Sequence, residues 1–297
     1  MIESVPNFSE GRRPDVVNRI VDAARVVSGA RVLDVHSDED HNRTVLTVVG
    51  EREAVEEAVF RAMVRATELI DLREHTGEHP RVGATDVVPF VPLGGTAMAE
   101  AVEAARSLGS RVAAELKVPV YFYEEAATRP DRQNLENVRR KGFEELREAI
   151  GRDDARTPDL GPREVHPTAG AVVVGARGPL IAYNVYLNTE DVRVAKAIAR
   201  TVRHSSGGLR FVKALGLEIP ARGQVQVSMN LTNFHRSALH TVFNLIVGEA
   251  AARGVSVVES EIVGLVPLHA LLDSARFALR LHALSDDQIL ELKLLDE

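Results

Sequence analysis

Apolar positions along this chain recur with two different spacings, and the alternation between them predicts the order of elements. Residues 2–8 read as a strand. Pro14 then opens a helix over residues 14–27, as proline does at a first helical position. β-Branched runs at 31–36 and 43–49 predict two strands joined by the polar turn Ser37-Asp38-Glu39-Asp40. Residues 53–70 place Val55, Val59, Met63 and Ala66 on one helical face, and 84–91 reads as a strand. The order is βαββαβ. It returns later, with strands at 180–187, 210–217, 224–231 and 256–263 and helices at 191–202 and 238–253.

Two short echoes accompany the repeated order. Val88-Pro89-Phe90-Val91-Pro92-Leu93 resembles Val263-Gly264-Leu265-Val266-Pro267-Leu268, and the first strand of each half carries an asparagine, Asn7 and Asn184. Both pairs lie at a similar offset, which suggests a duplicated lobe. The fold expected is α+β, with two related βαββαβ (ferredoxin-like) subdomains, helices on the outer faces of the sheets, and a boundary at Gly178-Pro179: residues 1–178 and 179–297. The first half also carries an arm, with a helix at 96–117, a strand at 118–123 and a helix at 134–150. Residues 151–170 follow, rich in Pro, Asp and Arg and without periodicity, and a loop of that length in a compact protein is commonly functional.

The absence of cysteine excludes disulfides, thiolate metal sites and a cysteine nucleophile. No basic-then-apolar leader opens the chain and no run is long enough for a membrane span, so a cytoplasmic protein without a membrane partner is expected. A net charge of −7 argues against a general attraction to nucleic acid.

The densest polar loop is Arg73-Glu74-His75-Thr76-Gly77-Glu78-His79-Pro80-Arg81-Val82-Gly83. Its glycines permit unusual backbone angles, and Pro80 biases His79 toward an extended conformation, which aims the imidazole. A histidine so placed suits proton transfer near neutral pH, or it is a loop residue tied to a carbonyl. The i, i+4 spacing of His75 and His79 also fits a zinc site, with Asp38, Asp40 and His41 nearby, but Gly77 and Pro80 break the helix such a site needs, and no metal is expected. No Rossmann, phosphate-loop or G-x-S-x-G pattern is present.

The strings Val5-Pro6-Asn7-Phe8-Ser9-Glu10-Gly11, Asn42-Arg43-Thr44-Val45, Gly77-Glu78-His79-Pro80-Arg81-Val82-Gly83 and Val263 to Leu268 resemble the formiminotransferase domain of formiminotransferase-cyclodeaminase, over essentially the whole chain. The resemblance implies a folate held in a cleft between two sheets. It implies transfer of a formimidoyl group between glutamate and N5 of tetrahydrofolate, a step of histidine breakdown, by a homodimer. The family's catalytic histidine matches His79. Its folate-contacting linker matches Gly161-Pro162-Arg163-Glu164-Val165-His166-Pro167-Thr168-Ala169-Gly170. The chain ends at Glu297 without a cyclodeaminase domain, so that activity is expected on a separate chain. Some relatives carry a carboxylate where His36 stands here, which moves that acidic role to Asp38 or Asp40, or removes it.

The chemistry asks for one group that takes and returns a proton, for which His79 is the candidate, and for a carboxylate beside a cationic amidine, from Glu78, Asp86 or the Asp38–Asp40 turn. Arg43, Arg81 and Arg177 are candidates for the substrates' carboxylates, or solvated surface residues. Asn7, Asn42, Asn184 and Asn230 are candidates for polar edges of the substrates, or turn caps. A glutamate formyltransferase using 5-formyltetrahydrofolate and a non-catalytic folate-binding module are the alternatives.

Overall fold

In the computed structural model, which describes residues 1–77 and 80–295, the chain divides into two compact units, Met1–Gly178 and Pro179–Glu297. The first begins with a strand that proline interrupts. β1 (Ile2–Ser4) and β2 (Asn7–Phe8) flank Val5-Pro6, where Pro6 has no N–H to give to the ladder, and both lie between the same two neighbours. Those neighbours are β4 (Arg43–Gly50) and β5 (Thr85–Pro92), with β3 (Ala30–Asp38) outside β4. The sheet runs β3, β4, β1 with β2, β5, which is the antiparallel order of a ferredoxin-like βαββαβ unit. Beyond β5 it continues in parallel through β7 (Val172–Ala176) to β6 (Val120–Glu124).

Three helices cover one face: α1 (Pro14–Arg25), α2 (Arg52–Leu69) and α3 (Met98–Arg111). Val16, Val17, Ile20, Val21 and Ala24 form the buried stripe of α1, at the spacing that brings one helical face to the core. The other face is covered at its parallel end by α4 (Leu135–Arg139) and α5 (Gly142–Ala149), which pack Val138 and Leu146 against Tyr121, Tyr123 and Val173. Burial on both sides explains why β5 is an almost unbroken apolar run.

The second unit has the same topology. β8 (Ile181–Leu187), α6 (Val192–Val202), β9 (Val212–Ile219), β10 (Gln224–Leu231), α7 (Leu239–Ala251) and β11 (Val257–Val263) give the sheet order β11, β8, β10, β9. Alternate residues of β8 and β10 (Ile181, Tyr183, Val185 and Leu187; Val225, Val227, Met229 and Leu231) enter the helix-side core. α8 (Leu268–Leu279) and α9 (Leu290–Leu295) end the chain. Among the described residues, no helix is long and apolar enough to cross a membrane.

Several expectations change. The helix expected over 134–150 is two helices, because Lys141 and Gly142 take φ of 65° and 74°, in the left-handed region that ends α4. The helix expected over 96–117 becomes α3 followed by a π-helical turn at Val112–Leu116, closed by Lys117 with φ of 56°. The string echo does not mark equivalent places: Val88 lies within β5, whereas Val263 ends β11. The two units share their topology, but not through those strings.

Close backbone approach fixes where α6 lies on its sheet. A Cβ on Gly216 of β9 would stand 2.3 Å from the Lys196 nitrogen and 2.5 Å from the Ala195 carbonyl carbon, both backbone atoms that cannot swing aside. Gly216→Ala is therefore expected to lower stability by about 1–3 kcal/mol through overpacking. Gly248, with open space around it in α7, is expected to gain up to about 1 kcal/mol as alanine from helix propensity. Urea unfolding of the two variants checks both signs.

Candidate functional site

Each end of the polar loop between α2 and β5 is fixed by a different device. At its base, the backbone of the 161–170 segment pairs with it. Leu72 N–H donates to Thr168 O and Ala84 N–H to Ala169 O, while Ala171 N–H donates to Val82 O, all at 2.9 Å. Gly83 is essential to this approach, because a Cβ there would fall 1.8 Å from Ala171 O. Gly170, at φ of 71°, is equally confined, with Val82 O 2.3 Å from its hypothetical Cβ. Two segments far apart in sequence are thereby neighbours in one unit.

Further along the loop, the turn after β3 takes over. Asn42 is 8% exposed and left-handed, with φ of 47°, a conformation asparagine tolerates better than most residues. Its amide nitrogen donates to Thr76 O at 2.9 Å and its amide oxygen accepts the Gly11 N–H at 2.9 Å. His75 Nε2 lies 3.0 Å from the Asn42 carbonyl, which assigns the ring proton to that nitrogen. Gly77 passes so near the turn that a Cβ would stand 2.5 Å from His41 O. The glycines of this loop were expected to supply unusual angles. Neither Gly77 nor Gly83 has a positive φ; both are needed for close contact.

The segment Val5–Gly11 is explained by the same geometry. Ser9 Oγ donates to Gly83 O at 2.7 Å and Thr44 Oγ1 donates to Glu10 O at 2.5 Å. The Glu10 carboxylate accepts the N–H groups of Arg12 and Arg13 at 2.9 Å and the Arg13 side chain at 2.5 Å. That carboxylate therefore organises the entry to α1. The Asn7 amide turns back to Val5 O at 3.0 Å, a local cap.

Phe8, Ser9, His41, Asn42, Arg43, His75, Arg81 and Asp86 line one small pocket, so four residues that the sequence offered for the substrates, Asn42, Arg43, Arg81 and Asp86, come together. Arg43 has its basicity lowered by burial and by the charge of Arg139, against the opposing influence of Asp86 and Asp38. Burial would raise the Asp38 carboxyl, but the His41 N–H, the His41 ring at 2.8 Å and the charge of Arg43 outweigh it and hold it below the ordinary carboxylate range. Burial also lowers the basicity of His75 and of His166. Arg81 donates to His75 O at 3.0 Å and to Glu144 of α5 at 2.9 Å, so its guanidinium straps the loop.

The remaining candidates are placed as follows. In the 161–170 segment, Arg163 and Glu164 are exposed, Ala169 and Gly170 are buried, and Val165 packs partly against the core. His166 Nδ1 accepts the Ala169 N–H at 3.0 Å. Arg177 donates to Gly178 O at 2.9 Å. Asn184 belongs to the second unit and lies 3.4 Å from Glu261, which also accepts the Tyr186 hydroxyl at 2.7 Å; Asn230 is exposed on β10 of that unit. Glu78 and His79 lie outside the described residues. Sequence reasoning missed Arg139, whose Nη2 donates to Pro80 O at 2.5 Å and ion-pairs with Asp86 at 3.0 Å. Nothing near Arg139 in the chain signals this, because its partners come from another element.

Comparison with known proteins bears on the whole chain. A model described as the formiminotransferase domain, N-terminal subdomain, matches residues 1–177, and one described as the formiminotransferase domain matches residues 182–294. A protein of Thermoplasma acidophilum named glutamate formimidoyltransferase is 49% identical over 99% of this chain and 97% of its own length. A protein of the same name from Streptococcus pyogenes is 44% identical over 99% of each. The formimidoyltransferase-cyclodeaminase of Rattus norvegicus is 43% identical over 93% of this chain and 52% of its own, longer chain. With models matching both units and near-complete alignment to two such relatives, the chain belongs to the formiminotransferase family.

Proposed function

We propose that this protein is a glutamate formimidoyltransferase, moving the formimidoyl group between N-formimidoyl-L-glutamate and N5 of tetrahydrofolate. The observation that carries the reading is the backbone pairing of residues 168–171 with both flanks of the 73–83 loop. Folate linker and proton-transfer loop are then parts of one construction. The names of the two full-length relatives support the same activity.

The reduced folate supplies the nitrogen N5, which accepts or releases the one-carbon unit. Exposed Arg163 and Glu164, with the His166–Gly170 turn beneath them, fit a ligand lying along the linker, because their polar ends are presented outward while the turn is fixed by its own hydrogen bonds. The amidine carbon exchanges one nitrogen for another, and a proton moves from the arriving nitrogen to the departing one. His79 takes and returns that proton. Arg43, its guanidinium buried in the lining of the small pocket beside Asn42 and Asp86, is the arginine we assign to a substrate carboxylate; Arg81 straps the loop through Glu144 and the His75 carbonyl. Among the described carboxylates, Asp38 is the one suited to a cationic amidine, being kept ionised and one-third exposed. Asp86 is committed to Val82 and Arg139.

His79→Ala is expected to lower transfer by about 10²–10⁴-fold while folate binding persists. Measuring 5-formimidoyltetrahydrofolate formation beside folate titration by fluorescence checks this; undiminished turnover would remove His79 from the mechanism. Turnover with 5-formyltetrahydrofolate and none with the formimidoyl donor would replace this activity with formyl transfer.

The loop should also sense acid. The folded state favours neutral His75, while the unfolded chain takes up a proton near its ordinary value of about 6.5. Below that pH the unfolded state binds more protons, so stability falls as pH falls. His75→Gln keeps a donor for the Asn42 carbonyl without titrating. Its melting temperature is expected to drop less between pH 7 and pH 5 than that of the parent protein; equal drops would show that His75 is not responsible.

A further inference from the structure

The arm formed by α4 and α5 has no counterpart among the described residues of the second unit, and it reaches the loop at a specific peptide. Arg139, the last residue of α4, donates from Nη2 to the carbonyl of Pro80, the residue that follows His79 in the chain. The same nitrogen ion-pairs with Asp86 Oδ2, and Asp86 Oδ1 accepts the Val82 N–H at 2.7 Å. The stretch from Pro80 to Asp86 is thus closed by one carboxylate, one guanidinium and two backbone groups. Asp86 is 2% exposed, so the Arg139–Asp86 ion pair is shielded from water, in surroundings where the loss of a charge's partner is costly, while the contact with Pro80 lies at the surface.

The backbone that carries this guanidinium is itself held. Arg156 donates to Val138 O at 2.9 Å and to Arg140 O at 2.5 Å, the carbonyls on either side of Arg139, and it also pairs with Glu145. The end of α4 is thereby fixed where a short helix would fray. On the opposite flank of the loop, Asn42 holds Thr76 O and Arg81 holds His75 O. Residues on both sides of the Glu78-His79 pair are therefore anchored by side chains, Thr76 and Pro80 from outside the loop by Asn42 and Arg139, and His75 from within it by Arg81.

We propose that Arg139 and Asp86 are positioning residues for His79: they fix the Pro80–Arg81 peptide, one residue beyond it, and contact no substrate themselves. This rests on the reading of His79 as the proton carrier. Proline at position 80 makes such control effective, because its ring fixes one backbone angle and restricts the residue before it, so a held Pro80 carbonyl constrains the direction from which the chain arrives. Small displacements of a proton-transfer group cost large factors in rate.

The test uses the full chain, tetrahydrofolate and N-formimidoyl-L-glutamate, with steady-state kinetics of Arg139→Met, Arg139→Lys, Asp86→Asn, His79→Ala and the His79→Ala/Arg139→Met double variant. Arg139→Met is expected to lower kcat about 10–100-fold with KM for both substrates nearly unchanged, as for a displaced catalytic group. Arg139→Lys is expected to recover part of that loss, since an ammonium still reaches an oxygen. In the His79→Ala background the Arg139→Met change is expected to cost less than about twofold more, because a residue that acts through another has nothing left to act on. An equal loss with and without His79, or a loss carried by KM, overturns the proposal. Full turnover by His79→Ala alone would instead sink the proton-carrier reading, whatever Arg139 does. Circular dichroism at the assay temperature reports folding; if Arg139→Met is unfolded, the nearly isosteric Asp86→Asn, alone and with His79→Ala, gives the same comparison.

Discussion

Three backbone hydrogen bonds, from Leu72, Ala84 and Ala171, join the base of the 73–83 loop to the stretch that begins at Thr168. Almost everything distinctive in the first unit follows from them. Peptide groups inside a protein must find partners or incur a desolvation penalty, so a long irregular segment is stable only where its carbonyls and N–H groups are answered. Here two irregular segments answer each other. The tightness of the contact selects glycine at positions 83 and 170, where any side chain would strike a carbonyl.

Around that seam the polar residues divide into layers of attachment. Ser9, Glu10 and Thr44 tie the first strands to the loop's far edge, and Asn42 joins Gly11 to Thr76. Arg81, Arg139 and Glu144 attach it to the arm. Arg43 and Asp38, which we propose for the substrates, are each balanced by a charge of the opposite sign. Burial has already desolvated the Arg43 guanidinium, and exchange of a protein partner for a substrate's group can then cost little.

The sequence made the order of elements legible because β-branched runs and 3.6-residue periodicity are local properties. Both βαββαβ units and the polar loop between α2 and β5 could be read in that way. Other features depend on contacts remote in sequence. The local signal that separates α4 from α5 is Gly142 alone, and a single glycine is also tolerated inside a helix; the break is maintained by left-handed Lys141 and Gly142 and by Arg156 holding the carbonyls before it. His75 was legible only as a possible metal ligand, whereas its proton is used on the Asn42 carbonyl. Arg139 resembled any exposed helical arginine until Asp86 and Pro80 were placed beside it. Family resemblance reached the motif strings but not the reason for each residue in them.

The parallel extension of the first sheet has a temporal consequence. β5 is complete at Pro92, but the strand that pairs with it on its outer edge, β7, begins only at Val172, and the pairing of Ala171 with Val82 forms where that strand enters. Parallel strands so distant in sequence close late, because the entropy of the intervening loop must be lost before their contacts compensate it. During synthesis the βαββαβ half can form while the ribosome is still extending the arm, yet its loop stays without a floor until residue 172 or so has emerged. A nascent chain halted before that point would hold the framework of the protein and none of its seam.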